Sequence, residues 1–145
     1  MLTTLALMPM GRSLACGEQV YTWGSGYCGQ LGLESTYTTL TPQLVPYFPR
    51  YHHLVKFIAC GSHHSAAILT TGELYTWGSN KNNCLGRDLV NNYTGFTPEP
   101  GHCGGFGALV NFIGRGLVRH VACGREFTIV ATWPYEGPSV DVAKK

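Results

Sequence analysis

The chain has 145 residues, about one domain's length, with a formal net charge of +2 and only 12% charged residues. Lys144-Lys145 is the single adjacent Lys/Arg pair, so the sequence shows no basic block and nucleic-acid binding is not expected. Nineteen glycines and eight prolines with so little charge exclude a helical bundle and a disordered chain, and point to short strands joined by tight turns.

Residues 1–16 read as an N-terminal extension. Leu2 to Met10 is a mostly apolar run with no basic region before it, and it is too short to span a membrane. Ser13-Leu14-Ala15-Cys16 is a poor lipoprotein box, because Ser13 stands where a leucine is wanted. Residues 17–132 read as a repeat domain. Val20-Tyr21-Thr22-Trp23 is rich in β-branched and aromatic residues and predicts a strand. Gly24 follows the tryptophan, where a missing side chain lets a neighbour approach. Gly29-Gln30-Leu31-Gly32 reads as a turn that leads Leu31 into the core. Thr41-Pro42 starts an edge-type strand, since proline cannot donate to a central ladder. Ser65 to Thr70 is small and apolar and reads as a buried strand. It pairs with Leu74 to Trp77 through Thr71-Gly72-Glu73, where Gly72 supplies the positive φ of a tight turn.

The motifs then return in order. Val20 to Ser25 recurs as Leu74 to Ser79 at an offset of 54, and Leu31-Gly32 recurs as Leu85-Gly86. Thr41-Pro42 is matched to Thr97-Pro98 at an offset of 56, and Ile58 to Gly61 to Val121 to Gly124 at an offset of 63. The second unit is therefore stretched, with an insert at about residues 91–116. A period of roughly 50–60 residues with four short strands per unit signifies a propeller blade or a similar array. The expected fold is all-β: a partial β-propeller of about two blades of short antiparallel strands, not closed by this chain alone.

Tyr21 to Gly24, Gly29 to Gly32, Thr41-Pro42, Ala59-Cys60-Gly61 and His64-Ser65 together resemble the repeat of the regulator of chromosome condensation family. The resemblance covers about residues 17–132. It implies a closed seven-bladed propeller, of which this chain holds only part. It also implies structural roles for Trp23, Gly24, Leu31, Gly32, Cys60, Gly61 and His64, and for Trp77, Gly78, Leu85, Gly86, Cys123 and Gly124. Departures lie at Asn83-Cys84-Leu85-Gly86, at Phe127 in place of histidine, and in the tail from Trp133 onward.

No chemical constellation accompanies the repeat. The six cysteines contain no CxxC and read as packed thiols of a reducing compartment rather than as a disulfide framework. Cys60 and Cys123 hold equivalent repeat positions and are expected to lie too far apart for a bridge. His52-His53 and His63-His64 lack the spaced companions of a zinc site. His64 and Ser65 are strand neighbours that point to opposite faces, so they form no nucleophile–base pair. No catalytic, metal or cofactor residue is assigned, and no cofactor is expected. The residues offered for partner contact are Tyr93, Phe96, Pro98, Phe106 and Phe112 in the insert, with Trp133 and Tyr135 in the tail at 133–145.

An open array exposes strand edges, so an obligate protein partner is expected, supplying neighbouring blades or covering the edges. The function expected is a non-catalytic interaction scaffold within a larger assembly, such as a cytoskeletal or ciliary one. The alternative, implied by the resemblance, is guanine-nucleotide exchange on a small GTPase or its regulation. The expected location is intracellular, in the cytoplasm or on the cytoskeleton rather than in the nucleus, with no membrane contact.

Overall fold

The computed structural model describes residues 3–9, 18–86, 104–109 and 117–133. Nine strands dominate it: β1 Thr3–Pro9, β2 Glu18–Gly24, β3 Thr39–Leu44, β4 Val55–Cys60, β5 His64–Leu69, β6 Leu74–Gly78, β7 Gly104–Leu109, β8 Val118–Cys123 and β9 Thr128–Thr132. One short helix, α1 Tyr47–Arg50, joins β3 to β4. Every pairing is antiparallel. β2 lies between β1 and β3, β4 to β7 follow one another as a four-stranded meander, and β8 pairs with β9. A single pair, Glu18 with Val55, links β2 to β4.

The strands fill three blade positions unequally. β4–β5–β6–β7 is a complete blade. β1–β2–β3 matches its last three strands and β8–β9 its first two. Nine strands thus amount to about two blades of material, and among the described residues no pairing joins β9 back to β1.

The middle blade shows why these residues form strands. All six residues of β5 and all five of β6 are buried. The hairpin closes as expected, with Gly72 N donating to Leu69 O at 3.0 Å and Leu69 N to Glu73 O at 2.9 Å. Alternation then sends successive side chains of β5 to opposite faces. Ala67 and Leu69 join Val20, Val45, Phe48, Val55, Tyr75 and Trp77 in one core. Ala66 and Ile68 join Leu74, Val118 and Val121 in the other. The middle blade is therefore sandwiched between two apolar seams, one toward β2 and one toward β8.

Three sequence expectations need adjustment. Residues 3–9, placed in an extension, form β1, which pairs with β2 along its full length from Thr3–Gly24 to Pro9–Glu18. β3 begins at Thr39, so Thr41-Pro42 lies inside it; β3 is still an edge strand, paired with β2 alone among the described strands. The strand on the outer side of β6 is Gly104–Leu109, within the presumed insert. Tyr75–Leu109, Thr76–Ala108 and Gly78–Gly104 repeat the register of Tyr21–Leu44, Thr22–Gln43 and Gly24–Thr39. That register aligns Thr41-Pro42 with Phe106-Gly107, so the extra length of the second unit falls before β7. Thr97-Pro98 lies outside the described residues.

Phe48 anchors the first seam. The four-residue helix sets its ring edge-on to Trp77, with centroids 5.8 Å apart, and the side chain is fully buried. Phe48→Ala is expected to destabilise the chain by about 3–5 kcal/mol, as for other buried aromatic truncations. Urea unfolding of the two proteins checks this through a lower midpoint at unchanged slope.

Candidate functional site

The chain's most specific geometry lies where one blade meets the next. The turn after β2 is built by Gly29 N donating to Gly26 O at 2.8 Å and Gly32 N to Gly29 O at 3.0 Å. Gln30 holds it from within: its Oε1 accepts from Cys28 N at 2.7 Å and its Nε2 donates to Ser25 Oγ at 3.4 Å. Leu31 is fully buried, as the motif predicts. The turn presents the Gln30 carbonyl to the next blade, where Ser65 Oγ donates to it at 2.8 Å and Trp77 Nε1 at 2.9 Å. Ser65 and Trp77 are themselves paired across β5 and β6. One carbonyl thereby fixes a hairpin of its neighbour by both strands.

The second seam repeats the device with different side chains. Thr128 Oγ1 donates to the Cys84 carbonyl at 2.6 Å. Cys84 replaces Gln30, and its thiol steadies the turn by donating to Ser79 O at 3.0 Å. Asn80 Oδ1 accepts from Leu85 N at 3.0 Å. Asn82 and Asn83 adopt φ of 57° and 56°, a left-handed conformation asparagine tolerates better than most residues. The departure Asn83-Cys84 from Gly29-Gln30 thus preserves the backbone that carries the acceptor. One counterpart differs: Thr76 Oγ1 donates to Leu85 O at 2.9 Å, whereas the buried Thr22 Oγ1 finds no partner among the described residues.

His64 crosses the second seam in the opposite sense. Its Nε2 lies 2.9 Å from Thr128 Oγ1, whose single proton goes to Cys84 O, so the imidazole donates. Ser65 and His64 therefore serve opposite seams, as strand alternation requires, and form no dyad. The His64 ring packs closely on the turn before it, where a Cβ on Gly61 would clash with its Cε1 and Nδ1. Phe127 lies on Gly124 in the same way, where a Cβ would meet its Cζ at 2.2 Å. Phenylalanine thus keeps the shape of the turn and forgoes the hydrogen bond. Gly78 is also required for close approach, since a Cβ there would meet His63 O at 2.5 Å.

Among the described residues Cys28, Cys60, Cys84 and Cys123 form no disulfide with one another. Burial pushes Cys123 up to about 11, and Cys84 is raised for the same reason, so both stay protonated and unreactive at neutral pH. Cys60 and Cys123 form no disulfide with each other. Among the described residues no group of three or more His, Cys, Asp or Glu side chains is gathered for a metal.

Of the residues offered for partner contact, Trp133 is exposed. Arg119 Cζ sits 4.5 Å from its ring centroid, and its backbone N donates to Leu117 O at 3.0 Å, extending the β8–β9 pairing. Phe106 falls on β7. Tyr93, Phe96, Pro98, Phe112 and Tyr135 lie outside the described residues. Trp77 is fully buried, whereas its counterpart Trp23 is only half-buried, with no earlier blade against it among the described residues. The sequence reading missed the Gln30 carbonyl, and it placed Ser65 on a buried strand without giving its hydroxyl a partner. The hydroxyl at the same repeat position in both units, Ser65 and Thr128, is the signal that marks the joint.

Two measurements test the joint. Ser65→Ala and Trp77→Phe each leave the Gln30 carbonyl one donor and are expected to cost about 0.5–1.5 kcal/mol for the lost bond, before repacking. The double variant strips a buried acceptor of both donors and is expected to cost more than the sum, a non-additivity that a double-mutant cycle reads directly. The second measurement concerns His64. Burial holds its pKa below the usual histidine value, with the nearby His63 adding to the effect and a hydrogen bond from the imidazole to the Phe127 backbone carbonyl opposing it. The unfolded chain therefore takes up this proton first. Stability from His64 is complete above about pH 6.5 and declines as pH falls below it. His64→Phe is expected to show a smaller fall in melting temperature between pH 7.5 and 5.5 than the unaltered chain; equal falls would refute the assignment.

Residues 18–68 and 71–131 match the Regulator of chromosome condensation (RCC1) repeat, and residues 55–84 match a second description of it. The X-linked retinitis pigmentosa GTPase regulator of Canis lupus familiaris is 33% identical over 129 residues, which is 88% of this chain and 12% of that protein. Human WBSCR16 superposes with a TM-score of 0.59 at 25% identity, over 81% of this chain and 27% of its own. Prp20p of Saccharomyces cerevisiae superposes with a TM-score of 0.57 at 23% identity, over 73% of this chain and 24% of its own. The chain thus spans about an eighth to a quarter of the length of these relatives, and its two matched units share their repeat and their blades: it belongs to the regulator of chromosome condensation repeat family.

Proposed function

We propose that this chain is a non-catalytic protein-interaction scaffold, a propeller segment built into a larger assembly whose neighbouring parts cover its open edges. One observation carries the reading. The middle blade is buried on both faces, while the last hairpin leaves Phe127, Ile129, Leu117 and Trp133 more than half exposed. Apolar surface of this kind at an unpaired strand edge is characteristic of a contact made with another polypeptide. The 12% charge content supports the same reading, being about half that of an ordinary soluble domain. Tyr93, Phe96, Pro98, Phe106 and Phe112, with Trp133 and Tyr135, are proposed to supply contacts from residues 91–116 and 133–145.

The protonated thiols of Cys84 and Cys123 fit a reducing intracellular compartment, and cytoplasm or cytoskeleton is proposed over nucleus. No helix among the described residues is long and apolar enough to cross a membrane. The second reading is regulation of a small GTPase. It rests on one relative being named a GTPase regulator and on Prp20p having been described with its binding to Gsp1p and histones. Exchange needs an extended ring face, of which this chain carries a fraction.

Crosslinking and mass spectrometry of the native complex separates the readings. Crosslinks from residues 91–116 and 133–145 to a large assembly are expected. The chain alone is expected to leave the release of labelled GDP from a panel of small GTPases unchanged within twofold. A monomer that melts cooperatively and crosslinks to nothing would refute the scaffold, and accelerated GDP release would establish the alternative.

A further inference from the structure

Five of the six residues of β3, Leu40 to Leu44, are exposed. The ladder between β3 and β2 is also broken in its middle. Gln43 pairs with Thr22 and Thr39 with Gly24, so Leu40, Thr41 and Pro42 stand opposite Trp23 alone, without partners in the register. The cause lies in the residues. Pro42 has no N–H to give a ladder, and Thr41 N donates instead to Thr39 Oγ1 at 3.4 Å. Pro42 also holds Thr41 in extended backbone, because its ring excludes the helical region for the residue before it. An extended Thr-Pro pair is thereby set on an exposed strand, outside the register of the sheet.

The hydroxyl is presented as well. Thr39, Thr41 and Gln43 share one face of β3 by alternation. Gln43 Nε2 donates to Thr41 Oγ1 at 3.0 Å, and Thr39 Oγ1 donates to the Thr41 carbonyl at 3.1 Å. The Thr41 oxygen keeps a second lone pair, and its own proton has only a long contact, 3.5 Å to Thr39 Oγ1, among the described residues. No charged residue lies in the sequence between Glu34 and Arg50, and those two pair with each other. An anion at Thr41 therefore meets no carboxylate of its own segment and has the Gln43 amide beside it as a donor.

We infer that Thr41 is a phosphoacceptor for a proline-directed serine/threonine kinase. In the transfer Thr41 Oγ1 attacks the γ-phosphorus of ATP bound to the kinase. The new Oγ1–P bond replaces the bond to ADP, which leaves with its electron pair, and the hydroxyl proton passes to the kinase's catalytic aspartate. A kinase of this class selects by the residue after the hydroxyl, where a proline packs without leaving an N–H unpaired. The site belongs to the first unit alone: the register of β7 sets Phe106-Gly107 at the same place, so the second blade offers no hydroxyl there. The product carries about two negative charges on a strand that had none. Charge on an edge strand opposes pairing with another chain, so the modification closes β3 to strand addition. Thr41 lies outside residues 91–116 and 133–145, so the inference does not depend on the scaffold reading.

The test incubates the folded chain with ATP and a purified proline-directed kinase, a mitogen-activated protein kinase serving as the probe, and locates the phosphate by mass spectrometry. Phosphate on Thr41 is expected. Thr41→Val, which keeps a β-branched side chain of the same shape, is expected to lose it, and Pro42→Ala to slow transfer to Thr41 by about tenfold or more. Mapping on the unaltered chain decides the matter even where Thr41→Val fails to fold. Phosphate on Thr97, the other threonine that precedes a proline, with none on Thr41 would overturn the inference. So would phosphorylation of a peptide spanning residues 36–46 while Thr41 of the folded chain stays unmodified, since the fold would then hide the site. Equal rates at Thr41 in the unaltered chain and in Pro42→Ala would remove the proline-directed class. Each of these failures leaves the scaffold reading standing, because crosslinking reads other residues.

Discussion

A single backbone carbonyl at the tip of each turn holds one blade to the next. The oxygen of Gln30 receives a hydroxyl from one strand and an indole from its partner strand, and so fixes a whole hairpin against the preceding sheet. The acceptor is buried, so the two donors replace water that the group has given up. Around it the apolar seam closes: Phe48 against Trp77 on one side, Ala67 and Leu69 beneath. The remaining features place this oxygen. The positive-φ residues at Gly29 and Gly32 curl the turn, Leu31 pins it to the core, and Gly78 lets the chain pass close to His63.

Stability in such an array is shared between units. β5 and β6 present apolar side chains to both faces and have no solvent side, so the middle blade is stable only with a neighbour on each. The outer blades meet that need from one direction. The incompletely buried Trp23 at one end and the exposed Ile129 and Phe127 at the other show the same requirement unmet among the described residues. The low charge of the chain has its physical cause here, because surfaces that face other blades cannot carry ions.

Much of this was legible in the sequence, for a specific reason. Repeats expose spacing, and spacing fixed the β5–β6 hairpin, the buried Leu31 and Leu85, and the glycines that follow Trp23 and Trp77. Residues 3–9 were not legible as a strand because an unalternating apolar run carries no period, and because their counterpart Ser65 to Leu69 shares composition rather than motif. The match of Thr41-Pro42 to Thr97-Pro98 failed because a two-residue motif is weak against a ladder: pairing with β6 sets the register, and it selects Gly104–Leu109. The joint was invisible as chemistry because its acceptor is a main-chain atom. Side-chain reasoning saw Ser65 beside His64 and asked about catalysis, whereas the two residues serve different seams.

The Gln30-to-Cys84 exchange has a consequence for how such chains change over time. A side-chain acceptor is lost by one substitution, but a peptide oxygen is present whatever residue occupies the position. The joint therefore survives mutational drift so long as the turn keeps its path, which a thiol, an amide and two left-handed asparagines achieve here by different means. Repeats within one chain can diverge in sequence and still accept the same kind of neighbour, so a blade's docking address is written in its backbone and its identity elsewhere.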